Sequence, residues 1–178
     1  PSALSGGKSD PEPRALSNAE VKDLVGMWGE AARRVAEAGF DILEIHAAHG
    51  YLIHQFLSPY ANVRNDEYGG SEENRMRFAT EVVEAVRAYW PADKPLFMRL
   101  SVEDNAGWGP EESVRLAQRV GPMCVDVIDC SSGGMMGSPV VGKDMRPGYN
   151  YQVPYAEKLK RESGVMSMAV GMIVHADQ

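Results

Sequence analysis

Helical and extended patterns alternate along most of this 178-residue chain. Apolar residues recur at helical spacing in segments that begin near residues 18, 72, 110 and 154. Short apolar runs follow these segments at 40–46, 96–100, 125–130 and 165–170. A helix between two parallel strands forms a right-handed crossover, so the order α(βα)3β over 18–178 predicts one α/β domain with parallel strands.

Local signals indicate where the elements begin and end. Ser17 followed by Glu20 fits a capping box at the start of the first helix, and Gly39 is a natural stop after it. Ser71 can cap the second helix, and Pro110 suits the first turn of the third. Stretches expected to be irregular or loops are 1–17, 47–70 and 131–152.

Composition restricts the class of partner. The net charge of −7 argues against a nucleic acid or an anionic membrane surface as the main partner. No apolar run approaches the roughly 18 residues of a membrane span, and no signal peptide is visible.

Cys124 and Cys130 flank one apolar run. We expect two buried, unpaired thiols in a reducing cytosol, and therefore a cytoplasmic protein.

The chain begins with Pro1 inside a loop-like stretch, which indicates a piece of a longer protein. The first and last strands, 40–46 and 165–170, would then be open edges of a sheet. Exposed edges of apolar strands invite pairing with other chains, so a homo-oligomer is among the expected states.

The most informative motif directly follows the first expected strand. His46, His49 and Tyr51 leave the end of that strand within one short turn. Each ring can donate a hydrogen bond, and the Tyr51 phenol can also give up a proton. The C-terminal ends of strands carry the chemistry of α/β barrels and open α/β sheets, so we expect these side chains to lie at a site.

The motif is part of a longer string. This string comprises His46 to Pro59, then Asn62, Arg64, 66–71, 73–75 and Arg77-Phe78. It resembles the old yellow enzyme family of FMN-dependent oxidoreductases, and the His pair followed by Gly-Tyr-Leu is similar to its thermophilic-like ene-reductases. The resemblance implies about half of a TIM (β/α)8 barrel, approximately its central strands four to seven. It also implies FMN as cofactor, NAD(P)H as hydride donor and a small-molecule, enone-like alkene or carbonyl substrate.

The resemblance gives His46 and His49 the role of substrate anchors that hold a carbonyl or nitro oxygen. Donors placed there stabilise the negative charge that builds on this oxygen during hydride transfer. A zinc pair or two structural histidines are the alternatives. Zinc would need a third protein ligand, and no Cys or His stands at ligand spacing.

Tyr51 would be the proton donor or a substrate contact, according to the same resemblance. A phenol with a pKa near ~10 stays protonated at neutral pH and can serve as a general acid. The alternative is a tyrosine that packs on the rim of the barrel.

Arg99 lies in an apolar strand, where an unpaired cation is costly. If Leu96, Met98 and Leu100 face the helices, alternation turns Arg99 toward the inner face. The family places an Arg here against the pyrimidine edge of the flavin. The alternative role is a buried ion pair, and Glu44, also inward by alternation, is the expected partner; both roles can coexist.

Ser131 and Gly171 follow the third and fourth expected strands. The resemblance places them along the ribityl-phosphate tail of FMN, where backbone N–H groups of late barrel loops bind phosphate. For Gly133 and Gly134 we expect simple turn chemistry.

The chain lacks some parts of the family pattern. Residues of the family's first strand, a later Gln and a Gly-Arg phosphate clamp have no counterpart here, so we expect weak flavin binding by this chain alone. Besides an FMN-dependent ene-reductase, two hypotheses stay open. One is a truncated half-barrel without flavin binding or catalysis, and the other is a barrel segment of a larger iron–sulfur, dienoyl-CoA-reductase-like flavoenzyme.

Overall fold

The structure is a computed structural model that describes residues 2–4, 13–135 and 148–177. The elements within these ranges are α1 (Asn18–Glu37), β1 (Leu43–Ala47), α2 (Leu52–Leu57), α3 (Glu72–Arg87), β2 (Leu96–Ser101), α4 (Pro110–Val120), a 3-10 turn (Gly121–Met123), β3 (Val127–Ser131), α5 (Val153–Ser163) and β4 (Met166–Ala169).

The four strands form one parallel sheet in the order β1-β2-β3-β4. The expected parallel sheet of four strands is therefore confirmed, with a further helix, α2, between β1 and α3. The register places Arg99 of β2 level with His46 of β1 and with Asp129 of β3. Because all strands run the same way, their C-terminal ends lie along one edge of the sheet, and the residues that follow them can converge there.

The two faces of the sheet differ in character. Leu96, Met98 and Leu100 of β2 are completely buried beneath the helices. Phe97 and Arg99, which point the opposite way, are half-buried. Side chains alternate along a strand, so this pattern confirms the expected orientation of β2 and turns Arg99 toward the inner face.

Helix ends follow the local signals. The Ser17 hydroxyl accepts a hydrogen bond from the backbone N–H of Glu20, and the Glu20 carboxylate accepts one from the N–H of Ser17 at 2.8 Å. Ser71 caps α3 through the N–H of Asn74 at 3.1 Å. Each cap satisfies N–H groups that have no partner inside the helix.

The expectation that 47–70 is entirely a loop is wrong, because α2 lies within it. Ile53, Phe56 and Leu57 of this helix are completely buried. Six residues are too few to show a helical period, so tertiary burial rather than local pattern stabilises α2. The expected burial of both thiols is also wrong, since Cys130 is buried but Cys124 is exposed.

The segment between α2 and α3 is held by side-chain hydrogen bonds to the backbone. Asn62 Nδ2 donates to the carbonyl groups of Phe56 and Tyr68, at 2.7 and 2.8 Å. Arg75 Nε donates to the carbonyl of Leu57 at 3.0 Å. These polar side chains therefore fix α2, which directly follows the His–Tyr motif.

Candidate functional site

A cavity of about 450 Å³ opens where the ends of the strands meet. Four of its lining residues were singled out by the sequence, namely His49, Arg99, Ser131 and Gly171. The others are Gly134, for which the sequence predicted turn chemistry alone, and Ser132, Tyr151, Gln152 and Val170, which it did not single out. The cavity thus gathers residues from all four strand ends, as the parallel topology predicts.

His46 and Tyr51 lie beside this lining. The ring of His46 is 5.4 Å from that of His49 and 5.1 Å from that of Tyr51, centroid to centroid. Tyr51 stands at the start of α2 with 62% of its surface exposed. The motif therefore forms one cluster of three rings at the end of β1, with its phenol open to solvent.

Both histidines are disposed to be neutral donors. Burial, followed by the nearby Arg99 cation, lowers the pKa of His46 and of His49 below the ordinary histidine value. His46 Nδ1 accepts a hydrogen bond from the N–H of Ala48 at 3.3 Å, so the proton of the neutral ring resides on Nε2. His49 Nε2 lies 2.7 Å from the hydroxyl oxygen of Ser131. Ser131 thus contacts His49 as well as the cavity.

Arg99 forms an ion pair with Asp129, so the prediction that it pairs with Glu44 is wrong. Arg99 Nη1 donates to Asp129 Oδ2 at 2.9 Å. The register explains the choice, because Asp129 is level with Arg99 whereas Glu44 is level with Phe97, two residues earlier. Burial and the negative charge of Asp129 raise the pKa of Glu44, and Arg99 only partly opposes them.

The Arg99–Asp129 pair leaves hydrogen-bonding capacity unused. Within the described ranges, buried Arg99 Nε and Asp129 Oδ1 have no hydrogen-bond partner. Burial raises the pKa of the Asp129 carboxyl, while Arg99 acts to lower it. Buried polar atoms are nearly always satisfied, so the unpartnered Nε of Arg99, a residue that lines the cavity, suits a polar ligand there.

Gln152 was missed by sequence reasoning. It is 2% exposed, its Oε1 accepts a hydrogen bond from Ser132 Oγ at 2.8 Å, and its Nε2 donates to the carbonyl of Val170 at 3.2 Å. It thus ties the segment after β3 to the segment after β4. A methyl group added at Gly171 would lie 2.7 Å from Gln152 Nε2, so this approach requires glycine. Gln152 immediately precedes α5 and carried no periodic signal.

Gly133 and Gly134 have positive φ values of 86° and 109°, as turn chemistry predicts. Gly134 also packs directly on the backbone of His49 and Gly50, where a methyl group on either glycine would collide with the other segment. Residues 136–147 of the expected loop lie outside the described residues.

In the described ranges, no three His, Cys, Asp or Glu side chains are placed to hold a metal ion. No helix in the same ranges has the length and apolar character of a membrane span.

Comparison with known sequences gives a family match over nearly the whole chain. The model of the NADH:flavin oxidoreductase / NADH oxidase family matches residues 3–178. An NADPH dehydrogenase of Clostridium acetobutylicum is 46% identical over 176 residues, and one of Bacillus subtilis is 44% identical over 175. Each alignment covers 97% of this chain and 50% of the relative, so the chain spans about half the length of these relatives.

Solved structures share the fold. Morphinone reductase in complex with tetrahydroNAD superposes with a TM-score of 0.78 at 26% identity, over 98% of this chain and 49% of that chain. Histamine dehydrogenase from Rhizobium sp. 4-9 gives 0.81 at 30% identity, and 2-naphthoyl-CoA reductase gives 0.79 at 30%. The chain covers 25% of each of these two. The fold is thus about half of a TIM barrel of the old yellow enzyme type, as expected.

Proposed function

Since the chain belongs to the NADH:flavin oxidoreductase / NADH oxidase family, we propose that the enzyme containing it is an FMN-dependent ene-reductase. It would take hydride from NAD(P)H and deliver it to an electron-poor alkene. The observation that carries the proposal is the cavity itself, onto which His49, Arg99, Ser131 and Gly171 converge from separate strand ends.

The residues of the cavity fit FMN. Arg99 lines the cavity, and its Nε is a donor with no partner among the described residues, which an acceptor atom on a polar edge of the flavin ring would satisfy. Arg99 would hold the pyrimidine edge, and its fixed cation would favour a ligand with negative charge there. Ser131 and Gly171 would hold the ribityl-phosphate tail. When bound, FMN supplies hydride chemistry that no side chain can perform.

His46 and His49 would anchor the substrate oxygen. Their lowered pKa values keep both rings neutral near pH 7, and a neutral imidazole still carries one N–H donor. His46 Nε2 is that donor in one ring, because its Nδ1 is occupied by the Ala48 N–H. Two N–H groups aimed at one oxygen stabilise the charge that develops on it more than they stabilise the uncharged carbonyl.

Tyr51 would supply the proton to the alkene carbon. The phenol is exposed and its ring contacts that of His46, so a substrate held by the histidines would come within its reach. An exposed phenol can also regain its proton from solvent after each turnover.

The level of identity supports a simple ene-reductase over a barrel within a larger flavoenzyme. The chain is 46% identical to an NADPH dehydrogenase of which it covers half, but 30% identical to 2-naphthoyl-CoA reductase, of which it covers 25%. The half-barrel hypothesis without flavin binding predicts no FMN retention at all. The placement in the cytoplasm and the homo-oligomer stay predictions.

The proposal is tested by replacing His46 and His49 together with Ala in the enzyme that contains this chain. The oxidised, FMN-loaded protein is titrated with 4-chlorophenol while its long-wavelength charge-transfer band is followed. We expect the double variant to retain FMN and to lose the band. His175→Ala removes an exposed histidine and should titrate like the unsubstituted enzyme. An undiminished band in the double variant would rule out the anchoring role.

A further inference from the structure

His49 has a backbone conformation that few side-chain-bearing residues adopt. Its φ is 59°, and that of the following Gly50 is 78°. A non-glycine residue in this left-handed region persists only where the surrounding structure holds it. The direction of the His49 ring therefore depends on whatever fixes the backbone on either side of it.

Two buried side chains hold the amides that flank the His49 Cα. The His49 N–H donates to Ser101 Oγ at 2.9 Å, and the Gly50 N–H donates to His54 Nδ1 at 3.0 Å. Both Ser101 and His54 are completely buried. In addition, Gln55 Nε2 donates to the Gly50 carbonyl at 2.6 Å. The peptide on each side of His49 thus has its own dedicated partner.

His54 is itself held in one tautomer. Because its Nδ1 accepts from Gly50, the neutral ring carries its proton on Nε2, which lies 3.5 Å from Asp104 Oδ2. Asp104 is completely buried and accepts hydrogen bonds from Ser58 Oγ at 2.5 Å and from the Trp108 N–H at 3.0 Å, whereas His54 Nε2 makes no hydrogen bond within the described ranges. The carboxylate therefore faces the protonated nitrogen and leaves Nδ1 to accept from Gly50.

We propose that His54 is a positioning residue for the substrate anchor: it orients His49 by accepting the Gly50 N–H. This inference rests on the proposed function and deepens it. His54 is completely buried, so it cannot touch the substrate. A buried position in α2 would accept an apolar side chain without the cost of burying an imidazole. The hydrogen bond to Gly50 is what the imidazole adds.

Two substitutions separate the two ring nitrogens. His54→Asn places an amide oxygen near the position of Nδ1 and can still accept the Gly50 N–H. His54→Gln reaches toward Asp104, like Nε2, and loses the acceptor for Gly50. If His54 acts through packing or through its contact with Asp104, His54→Gln should behave more like the unsubstituted enzyme. If His54 positions His49, His54→Asn should do so instead.

The FMN-loaded enzyme is titrated with 4-chlorophenol for each variant, and the FMN dissociation constant is measured separately. We expect His54→Gln to weaken phenol binding roughly 10-fold, the equivalent of one hydrogen bond. Its FMN affinity should be unchanged, and His54→Asn should stay close to the unsubstituted enzyme in both measurements. In amide hydrogen exchange, the Gly50 N–H should lose protection in the Gln variant and keep it in the Asn variant.

The outcomes separate this inference from the function on which it rests. Absence of a charge-transfer band in the unsubstituted enzyme would remove the anchoring role itself. A normal band with equal phenol affinity in both variants, or equal loss in both, would overturn only the positioning role of His54. Parallel loss of FMN and phenol would make His54 merely structural. If His54→Gln does not fold, Ser101→Ala removes the partner of the other amide together with a hydrogen bond to the Gly133 carbonyl, and it should weaken phenol binding more than FMN binding.

Discussion

Arg99 and Asp129 form an ion pair across β2 and β3, with 2.9 Å between Nη1 and Oδ2. The two partners are unequally covered, since the Asp129 side chain is 1% exposed and that of Arg99 is 32% exposed. The carboxylate therefore depends on the cation, while the cation keeps an open side toward the cavity. One arginine can thus stabilise the sheet and contact a ligand.

Arg99→Leu should reduce the free energy of unfolding by about 1–3 kcal/mol near pH 7.5, and by less near pH 5. Burial already raises the folded-state pKa of Asp129, against the pull of Arg99. A carboxyl with a raised folded-state pKa stabilises the protein most below its unfolded-state pKa of about 3.9. This stabilisation is lost as the pH rises through the folded-state pKa. Without Arg99 the folded-state pKa of Asp129 rises further. More stability is then lost as the pH rises, and the loss continues to a higher pH. Urea unfolding at both pH values measures it.

The control for this experiment is the double variant Arg99→Leu with Asp129→Asn. It removes the charge that Arg99 compensates at Asp129, so its deficit should change less between the two pH values than that of Arg99→Leu alone. If the deficit of Arg99→Leu alone did not change with pH, Asp129 would not be the group that depends on Arg99.

Tyr51→Phe should slow reoxidation of the reduced enzyme by an enone about 10²–10⁴-fold, the usual contribution of a general acid. Reduction by NAD(P)H should stay nearly unchanged, because no proton is delivered to the alkene in that half-reaction. Stopped-flow absorbance separates the two rates. Tyr60→Phe is the matched control, since Tyr60 is also exposed, at 55%, and lies outside the cluster of three rings that His46, His49 and Tyr51 form. Equal slowing of both half-reactions would instead make Tyr51 a structural rim residue.

Gly50→Ala should destabilise the protein more than Gly39→Ala does. Both glycines have similar positive φ values, 78° and 81°. A methyl group at Gly39 meets nothing within 4 Å, whereas one at Gly50 collides with the Gly134 carbonyl oxygen. We expect a loss of about 1 kcal/mol from backbone strain at Gly39 and about 2–4 kcal/mol from strain plus collision at Gly50. Urea midpoints at a constant m-value give both numbers, and equal losses would show that Gly134 moves aside.

Asp104→Asn should lower the free energy of unfolding by about 2–3 kcal/mol at neutral pH, since hydrogen bonds to a charged acceptor are lost. Burial alone would raise the pKa of Asp104, but the hydrogen bonds that it accepts outweigh this effect and lower it. Its contribution is therefore present above the unfolded pKa of about 3.9 and is lost as the pH falls through the lower folded value.

The difference between Asp104→Asn and the unsubstituted protein should accordingly shrink below about pH 4. Denaturant unfolding from neutral to acidic pH measures it. Asp93→Asn, at an exposed position, is the control and should have little effect at any pH. A difference that persists unchanged into acid would show that the charge of Asp104 is not what stabilises this region.

The fold was largely predictable because local signals specify most of its elements. Ser17, Ser71 and Pro110 mark helix starts that the structure reproduces. The helix α2 was not predictable, since its stability comes from burial of Ile53 and Phe56 against distant elements, which no short window of sequence contains.

The sequence indicated four of the residues that line the cavity, His49, Arg99, Ser131 and Gly171, but not which side chains pair there. Alternation turns both Glu44 and Arg99 to the inner face, yet only the register decides that Arg99 is level with Asp129. Register depends on contacts between strands that are far apart in sequence. The role of His54 in α2 was not predicted for the same reason. Its neighbour Asp104 lies far away in sequence, in the segment after β2.

The close contact between Gly50 and Gly134 has a consequence for engineering the substrate range of such an enzyme. The segments after β1 and after β3 fit together with no room for a side chain at either glycine. If only one segment is randomised, most variants would have a side chain that collides with the other segment. These variants would be inactive because they do not fold, not because their substrate range has changed. Productive diversity requires the two segments to be varied jointly, or both glycines to be kept constant while their neighbours change.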